Sequence, residues 1–196
     1  MPLTDRKPHA MPPLALADES ATLELGSLLA SVVEAPFIVF LQGDLGAGKT
    51  CFSRGFLQAR GHEGRVKSPT YTLIEPYDLP GATAYHLDLY RLGDAAELDY
   101  LGLGDYLASP AIFLIEWPER GAGFLPSPDL VVVLDAPVEP ESPGRWARLS
   151  LSSSRAMALQ AALESRLLES GRFEIGSESE SRGLATTVGA AHHGPS

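Results

Sequence analysis

The residues Gly43-Asp44-Leu45-Gly46-Ala47-Gly48-Lys49-Thr50 match G-x-x-x-x-G-K-[ST] in full. Glycines in this pattern let the backbone curl so that successive N–H groups face a phosphate, and the helix that follows adds its positive N-terminal end. Lys49 supplies a point charge for the outer phosphates, and the Thr50 hydroxyl is placed to coordinate magnesium. With the Gly, Lys, Ser and Thr content of this chain, the pattern arises by chance about 0.004 times in a sequence of this length. The residues therefore predict binding of a nucleoside triphosphate.

Magnesium beside a phosphate-binding loop needs a second anchor, usually an acid at the end of a neighbouring buried strand. Two acids fit. Glu116 directly follows the apolar run Ala111–Ile115, and Asp88 lies within Tyr85-His86-Leu87-Asp88-Leu89-Tyr90. We assign Glu116 to the metal and Asp88 to orientation of the attacking water or of the metal's waters. His86 is read as structural, because phosphoryl transfer relies on positioning and electrostatics more than on a base. Ser68-Pro69-Thr70-Tyr71-Thr72 follows basic Arg65 and Lys67. It reads either as an ordinary turn entering a strand or as a switch loop sensing the γ-phosphate. Trp117 is core or, next to the metal acid, a reporter of nucleotide. Cys51, in the first turn of the P-loop helix, is read as filling rather than as a low-pKa thiol.

The elements that must position these groups follow from periodicity and breakers. Asp18 or Ser20 can cap a helix in which Leu25, Leu28, Leu29, Val32 and Val33 form an apolar stripe, stopped by Pro36. Phe37–Leu41 reads as a buried strand leading into the glycine-rich turn and a helix from about residue 49 to 60, ended by Gly61. Strands are expected at Tyr71–Pro76 and Thr83–Tyr90, split by the turn 78–81, then at Ala111–Ile115 and Leu130–Leu134. Asp94 and Glu97 have capping-box spacing. Pro137–Gly144 reads as a loop, Arg145–Leu151 as an edge strand, and Ala156–Leu168 as a helix. The fold class expected is α/β, a single P-loop NTPase-like domain with a central sheet flanked by helices. Residues 1–13 are expected as a flexible arm, 14–168 as the ATPase domain, and 169–196 as a disordered acidic Ser/Gly-rich tail.

Composition narrows the partners. Of 196 residues, 44% are apolar and 20% charged, which suits one packed domain and excludes a wholly disordered chain. One cysteine excludes an internal disulfide framework and a Cys-based zinc site. The longest apolar runs are far short of the roughly 20 residues that span a bilayer. Pro12 and Pro13 interrupt what would be a signal peptide. A soluble cytoplasmic protein is expected, with no membrane association. Fifteen basic against 25 acidic residues give a net charge of −10, so direct grip on a nucleic-acid backbone is disfavoured.

Beyond the P-loop, the strings Ser68-Pro69-Thr70-Tyr71-Thr72-Leu73-Ile74-Glu75-Pro76-Tyr77, His86-Leu87-Asp88-Leu89-Tyr90-Arg91-Leu92 and Leu114-Ile115-Glu116-Trp117-Pro118-Glu119 resemble the bacterial TsaE family. That family is the ATPase component of tRNA threonylcarbamoyladenosine biosynthesis, and the resemblance runs from about Leu14 to about Leu168. It implies a small P-loop α/β domain that binds ATP and Mg2+, hydrolyses ATP slowly, and works with TsaB and TsaD. That pair transfers threonylcarbamoyl to the adenosine beside the anticodon, so tRNA is met only indirectly. The resemblance places the metal on Thr50 and Glu116 and the turnover residue on Asp88. It places closure of the adenine side around Glu19, Thr22 and Arg145. Lys49-Thr50-Cys51 departs from the family, where a second hydroxyl residue is common at the last position; ATP binding is expected to survive this.

Two other readings compete. A small-molecule P-loop kinase would need an acceptor pocket and usually an arginine-bearing lid, yet only Arg120 lies between Leu92 and Leu134. A nucleotide-gated scaffold would bind ATP and a partner without useful hydrolysis.

Overall fold

The computed structural model describes residues 8–135 and 144–176. Two short strands, β1 (His9–Ala10) and β2 (Leu14–Leu16), precede α1 (Glu19–Val32) and β3 (Phe37–Gln42). The P-loop then opens α2 (Lys49–Ala59), followed by the hairpin β4 (Ile74–Leu79) and β5 (Ala82–Asp88). Two short helices, α3 (Glu97–Tyr100) and α4 (Leu103–Leu107), lead to β6 (Ile112–Glu116). A 3-10 turn at Pro118–Gly121 connects to β7 (Leu130–Asp135), and β8 (Arg145–Leu151), α5 (Ser154–Ser170) and β9 (Glu174–Ile175) complete the described chain.

The strands form one sheet in the order β4-β5-β6-β3-β7-β8-β2-β9, with β1 beside β8. β5, β6, β3 and β7 run parallel, and the pairs outside them are antiparallel. Parallel strands are normally covered on both faces, and period-two alternation shows how that is done here. Ile112 and Leu114 of β6 join one apolar cluster with residues of α1, α2 and α5, whereas Phe113 and Ile115 join a second with Leu98 and Leu103 of α3 and α4. All five β6 residues are buried as a result.

Register brings the functional ends together. Leu41 of β3 and Asp88 of β5 both pair with Glu116 of β6, so three parallel strands finish at one level. In open α/β sheets ligands bind outside such carboxyl ends. α2 leaves this level and packs against α1 at very short range. A Cβ placed on Gly55 would lie 2.0 Å from the Leu23 carbonyl oxygen, and one on Gly26 would lie 2.2 Å from that of Phe52. Only glycine allows this approach.

Several local expectations change. Asp18, not Ser20, caps α1, its Oδ1 accepting from the Ala21 N–H at 2.7 Å. β4 starts at Ile74 and continues through Leu79, so the hairpin turn is just Pro80-Gly81. Pro76 is tolerated within it because β4 is an edge strand. Arg145–Leu151 has the expected bounds but is no edge, being flanked by β7 on one side and β1 and β2 on the other. Its alternation reports a half-covered face, not a lateral position.

The boundaries drawn at 13/14 and 168/169 fall inside paired structure. His9 and Ala10 pair with Leu151 and Ser150, and buried Met11 donates its N–H to the Leu149 carbonyl at 2.9 Å. α5 continues to Ser170, and Glu174 and Ile175 pair with Ala15 and Leu14. Strands of two or three residues are too short to show a period. Residues 1–7, 177–196 and most of the expected loop at Pro137–Gly144 lie outside the described residues.

Gly55→Ala should destabilise the protein by about 1–3 kcal/mol through overpacking against α1. Gly104→Ala in α4, where an added Cβ meets nothing within 4 Å, should leave the thermal midpoint unchanged or raised. Equal midpoints for both variants would remove the close-approach argument.

Candidate functional site

The P-loop begins where β3 ends. Gly43, Gly46 and Gly48 hold φ values of 132°, 81° and 106°, a region that side-chain-bearing residues rarely enter. The turn folds around the Lys49 side chain, whose Nζ donates to the carbonyls of Gly43 at 2.6 Å and Asp44 at 2.8 Å. The same ammonium lies 4.0 Å from the centroid of the Trp117 ring. Trp117 is one of only two non-glycine residues with positive φ among the described residues, at 57°, and its N–H donates to the Leu41 carbonyl at 3.2 Å. That strained turn directly after β6 puts the indole under the lysine.

The two carboxylates stand side by side in this level. Glu116 Oε1 accepts from Thr50 Oγ1 at 2.9 Å and lies 2.8 Å from His86 Nε2. His86 is fully buried and its Nδ1 has no partner. The tautomer with its proton on Nε2 donates to the carboxylate and leaves a bare acceptor on Nδ1, the less costly orphan. His86 is thus placed to orient Glu116. Asp88 is 4% exposed. Its Oδ2 accepts from the Ser68 hydroxyl and from Thr70 Oγ1 at 2.9 Å, and its Oδ1 accepts from the Tyr90 N–H at 3.0 Å. Ser68 and Thr70 are therefore tied to the acid, and Leu73, the other residue with positive φ, closes their loop with a 2.7 Å bond to the Pro69 carbonyl.

A cavity of about 410 Å³ opens over these groups, lined by Leu45, Gly46, Gly48, Lys49, Thr50 and Cys51 from the loop and helix. Ser68, Thr70, Asp88, Tyr90, Arg91, Glu116 and Trp117 form its other wall. Burial pulls the Lys49 ammonium below its ordinary pKa, and the nearby charges of Glu116 and Asp88 act to restore it. Burial likewise pushes the Cys51 thiol up, more than Arg54 lowers it, so Cys51 behaves as a filler and not as a reactive thiolate.

The donor set fits magnesium. A hydroxyl and a carboxylate oxygen 2.9 Å apart are hard ligands that one small cation can bridge. Among the described residues no three His, Cys, Asp or Glu side chains are placed to hold a metal ion together. A cation here would draw most of its shell from water and phosphate, as magnesium does.

Other expected positions gather elsewhere. Arg145 Nη1 donates to the Ala47 carbonyl at 2.7 Å, on the outside of the P-loop next to Gly48. Thr22 is buried close to Gly48, its hydroxyl donating to the Asp18 carbonyl, and Glu19 is ion-paired with Arg54. None of these three lines the cavity, nor do Gly43, Asp44 and Ala47, whose carbonyls brace Lys49 and Arg145. The contact of Lys49 with Trp117 and the presence of Arg91 in the wall escaped the sequence reading. Arg91 stands three residues after Asp88, and that spacing beyond a strand end was the available signal.

His86→Leu should weaken magnesium by about 10–100-fold in a titration of nucleotide binding, as loss of an orienting partner does. His86→Gln, whose amide N–H can replace Nε2–H, should recover part of that loss. A magnesium curve unmoved by His86→Leu would free Glu116 from this control.

The family model described as threonylcarbamoyl adenosine biosynthesis protein TsaE matches residues 16–142. A tRNA threonylcarbamoyladenosine biosynthesis protein TsaE from Haemophilus influenzae is 48% identical over 125 residues, covering 61% of this chain and 79% of the relative. The protein of that name from Bacillus subtilis is 36% identical over 113 residues, 58% of this chain and 70% of the relative. The crystal structure of Bacillus subtilis YdiB superposes with a TM-score of 0.69 at 25% identity, over 82% of this chain and 97% of that one. The α/β sheet with its P-loop level is thus shared along with the sequence, and the chain belongs to the TsaE family of threonylcarbamoyladenosine biosynthesis proteins.

Proposed function

We propose that this TsaE-family chain is a magnesium-dependent ATPase subunit acting with TsaB and TsaD in threonylcarbamoyl modification of the adenosine beside the anticodon in tRNA. The observation that supports it most is the meeting of Thr50 Oγ1 with Glu116 Oε1 at 2.9 Å, beside buried Asp88 and under the Lys49 P-loop. A scaffold that only bound nucleotide would need the magnesium acid Glu116 but not a second buried acid, Asp88, beside it at the strand ends. Both acids already accept hydrogen bonds, Glu116 from Thr50 and Asp88 from Ser68, Thr70 and the Tyr90 N–H, and a bound cation would further compensate two adjacent buried charges.

In this reading the P-loop amides and Lys49 would hold the phosphates, and Thr50 and Glu116 would hold magnesium, which would supply charge neutralisation. Asp88 accepts a hydrogen bond from the attacking water. The water oxygen bonds to the γ-phosphorus, the bond to the bridging oxygen breaks with its electron pair left on ADP, and the water's proton leaves with phosphate. Ser68 and Thr70, already on Asp88, tie the neighbouring loop to the state of that acid, which suits a switch segment. Trp117 beside the metal acid makes a reporter of occupancy. Arg145 braces the P-loop at the Ala47 carbonyl, and with Thr22 and Glu19 it would close the adenine end.

The −10 charge of the chain supports a division of labour in which tRNA is held by TsaB and TsaD. No helix of the described residues is long and apolar enough to cross a membrane. Hydrolysis of ATP by the full chain, measured with and without the TsaB–TsaD pair, tests the reading. Turnover should be slow alone, rise strongly with the pair, and vanish in Asp88→Ala while ATP still binds. Equal rates in both mixtures would take away the partnership, and a phosphorylated metabolite in place of free phosphate would make the chain a kinase.

A further inference from the structure

Charge around the cavity leaves one cation without a task. Lys49 and Arg91 face two carboxylates, Asp88 and Glu116, so the wall by itself is neutral. A triphosphate brings about four negative charges and magnesium returns two, so neutralisation at the phosphates is incomplete without further positive charge. Lys49 is buried and committed to the P-loop. Arg91 is exposed, forms no ion pair with a carboxylate among the described residues, and lies in the cavity wall with the groups that hold phosphate and metal.

Its position is built rather than incidental. The Tyr90 N–H bonded to Asp88 Oδ1 and the Leu92 N–H bonded to the Leu89 carbonyl at 3.0 Å wind the chain into a tight turn with Arg91 inside it. The guanidinium carbon sits 4.6 Å from the centroid of the Tyr71 ring, a cation–π contact. Tyr71 is 85% exposed and follows Thr70, which bonds the other oxygen of Asp88. One carboxylate therefore sets both the turn carrying Arg91 and the loop carrying the ring on which it rests.

We propose that Arg91 is the second phosphate-binding cation of the site, directed at the terminal phosphate of the nucleotide, and that Tyr71 is its positioning residue. Arginine suits this task because its charge is permanent and its planar fork pairs with two oxygens of one phosphoryl group. It forms no covalent bond and carries no proton; it stabilises charge on the outer phosphoryl oxygens as the bond to ADP opens. The proposal rests on ATP binding at the P-loop.

The test compares wild type, Arg91→Ala, Tyr71→Ala and Tyr71→Phe as full chains, by calorimetric affinity for ADP and for ATP with magnesium and by single-turnover hydrolysis. Arg91→Ala should keep ADP affinity within about 3-fold, lose ATP affinity by about 10-fold, and hydrolyse at least about 10-fold more slowly. Tyr71→Ala should show a smaller loss of the same kind, and Tyr71→Phe, which keeps the ring face, should resemble wild type. Parallel loss of ADP and ATP affinity in Arg91→Ala, or no loss of either, would overturn the assignment while leaving the P-loop reading intact. A wild-type chain that binds neither nucleotide would instead remove the reading beneath it.

Discussion

Glu116 Oε1 accepts from Thr50 and meets His86 within 2.9 Å, and the rest of the site is arranged around that shared oxygen. Thr50 opens the P-loop helix, His86 comes from the neighbouring strand, and Glu116 ends the strand between that one and β3. A buried carboxylate with 2% exposure is stable only if its charge is met. Lys49 and two hydrogen-bond donors meet it here, Lys49 and Thr50 from the first turn of α2 and His86 from β5. Moving any one strand by a residue would turn its side chain to the other face and dissolve the cluster.

That dependence explains why the sheet is built as it is. Parallel pairing aligns the ends of β5, β6 and β3, and close glycine contacts fix α2 against α1 so that the P-loop cannot drift from Glu116. The antiparallel strands β8, β2 and β9 lie beyond β7, away from the two acids. They cover sheet edge and anchor α5, and Arg145 reaches back from β8 only as far as the Ala47 carbonyl. The chemistry sits on one half of the sheet and the support on the other.

The parts of this arrangement carried by strong local signals were legible in the residues. The P-loop, α2 and the strands holding Asp88 and Glu116 stand where spacing and apolar runs put them, because those segments answer to one local rule each. What escaped depends on partners distant in sequence. β1 and β2 are strands because β8 gives them a partner, and β9 because β2 does; nothing in two or three residues announces it. Leu73 and Trp117 take left-handed backbone conformations that their types disfavour, so no propensity could signal them; their neighbours impose the turn. The contact of Lys49 with Trp117 and the seat of Arg91 on Tyr71 follow from those turns, and were invisible for the same reason.

The central claim is that Lys49, Thr50 and Glu116 form one magnesium–triphosphate site beneath Trp117. Its most direct test is the emission of Trp117, isolated by Trp146→Phe, during titration with ATP in the presence of magnesium or of a chelator. The account predicts a saturable change with one nucleotide per chain, shifted to higher ATP by the chelator and lost in Lys49→Ala. A flat titration of the folded protein, or an equal change in Lys49→Ala, would contradict it.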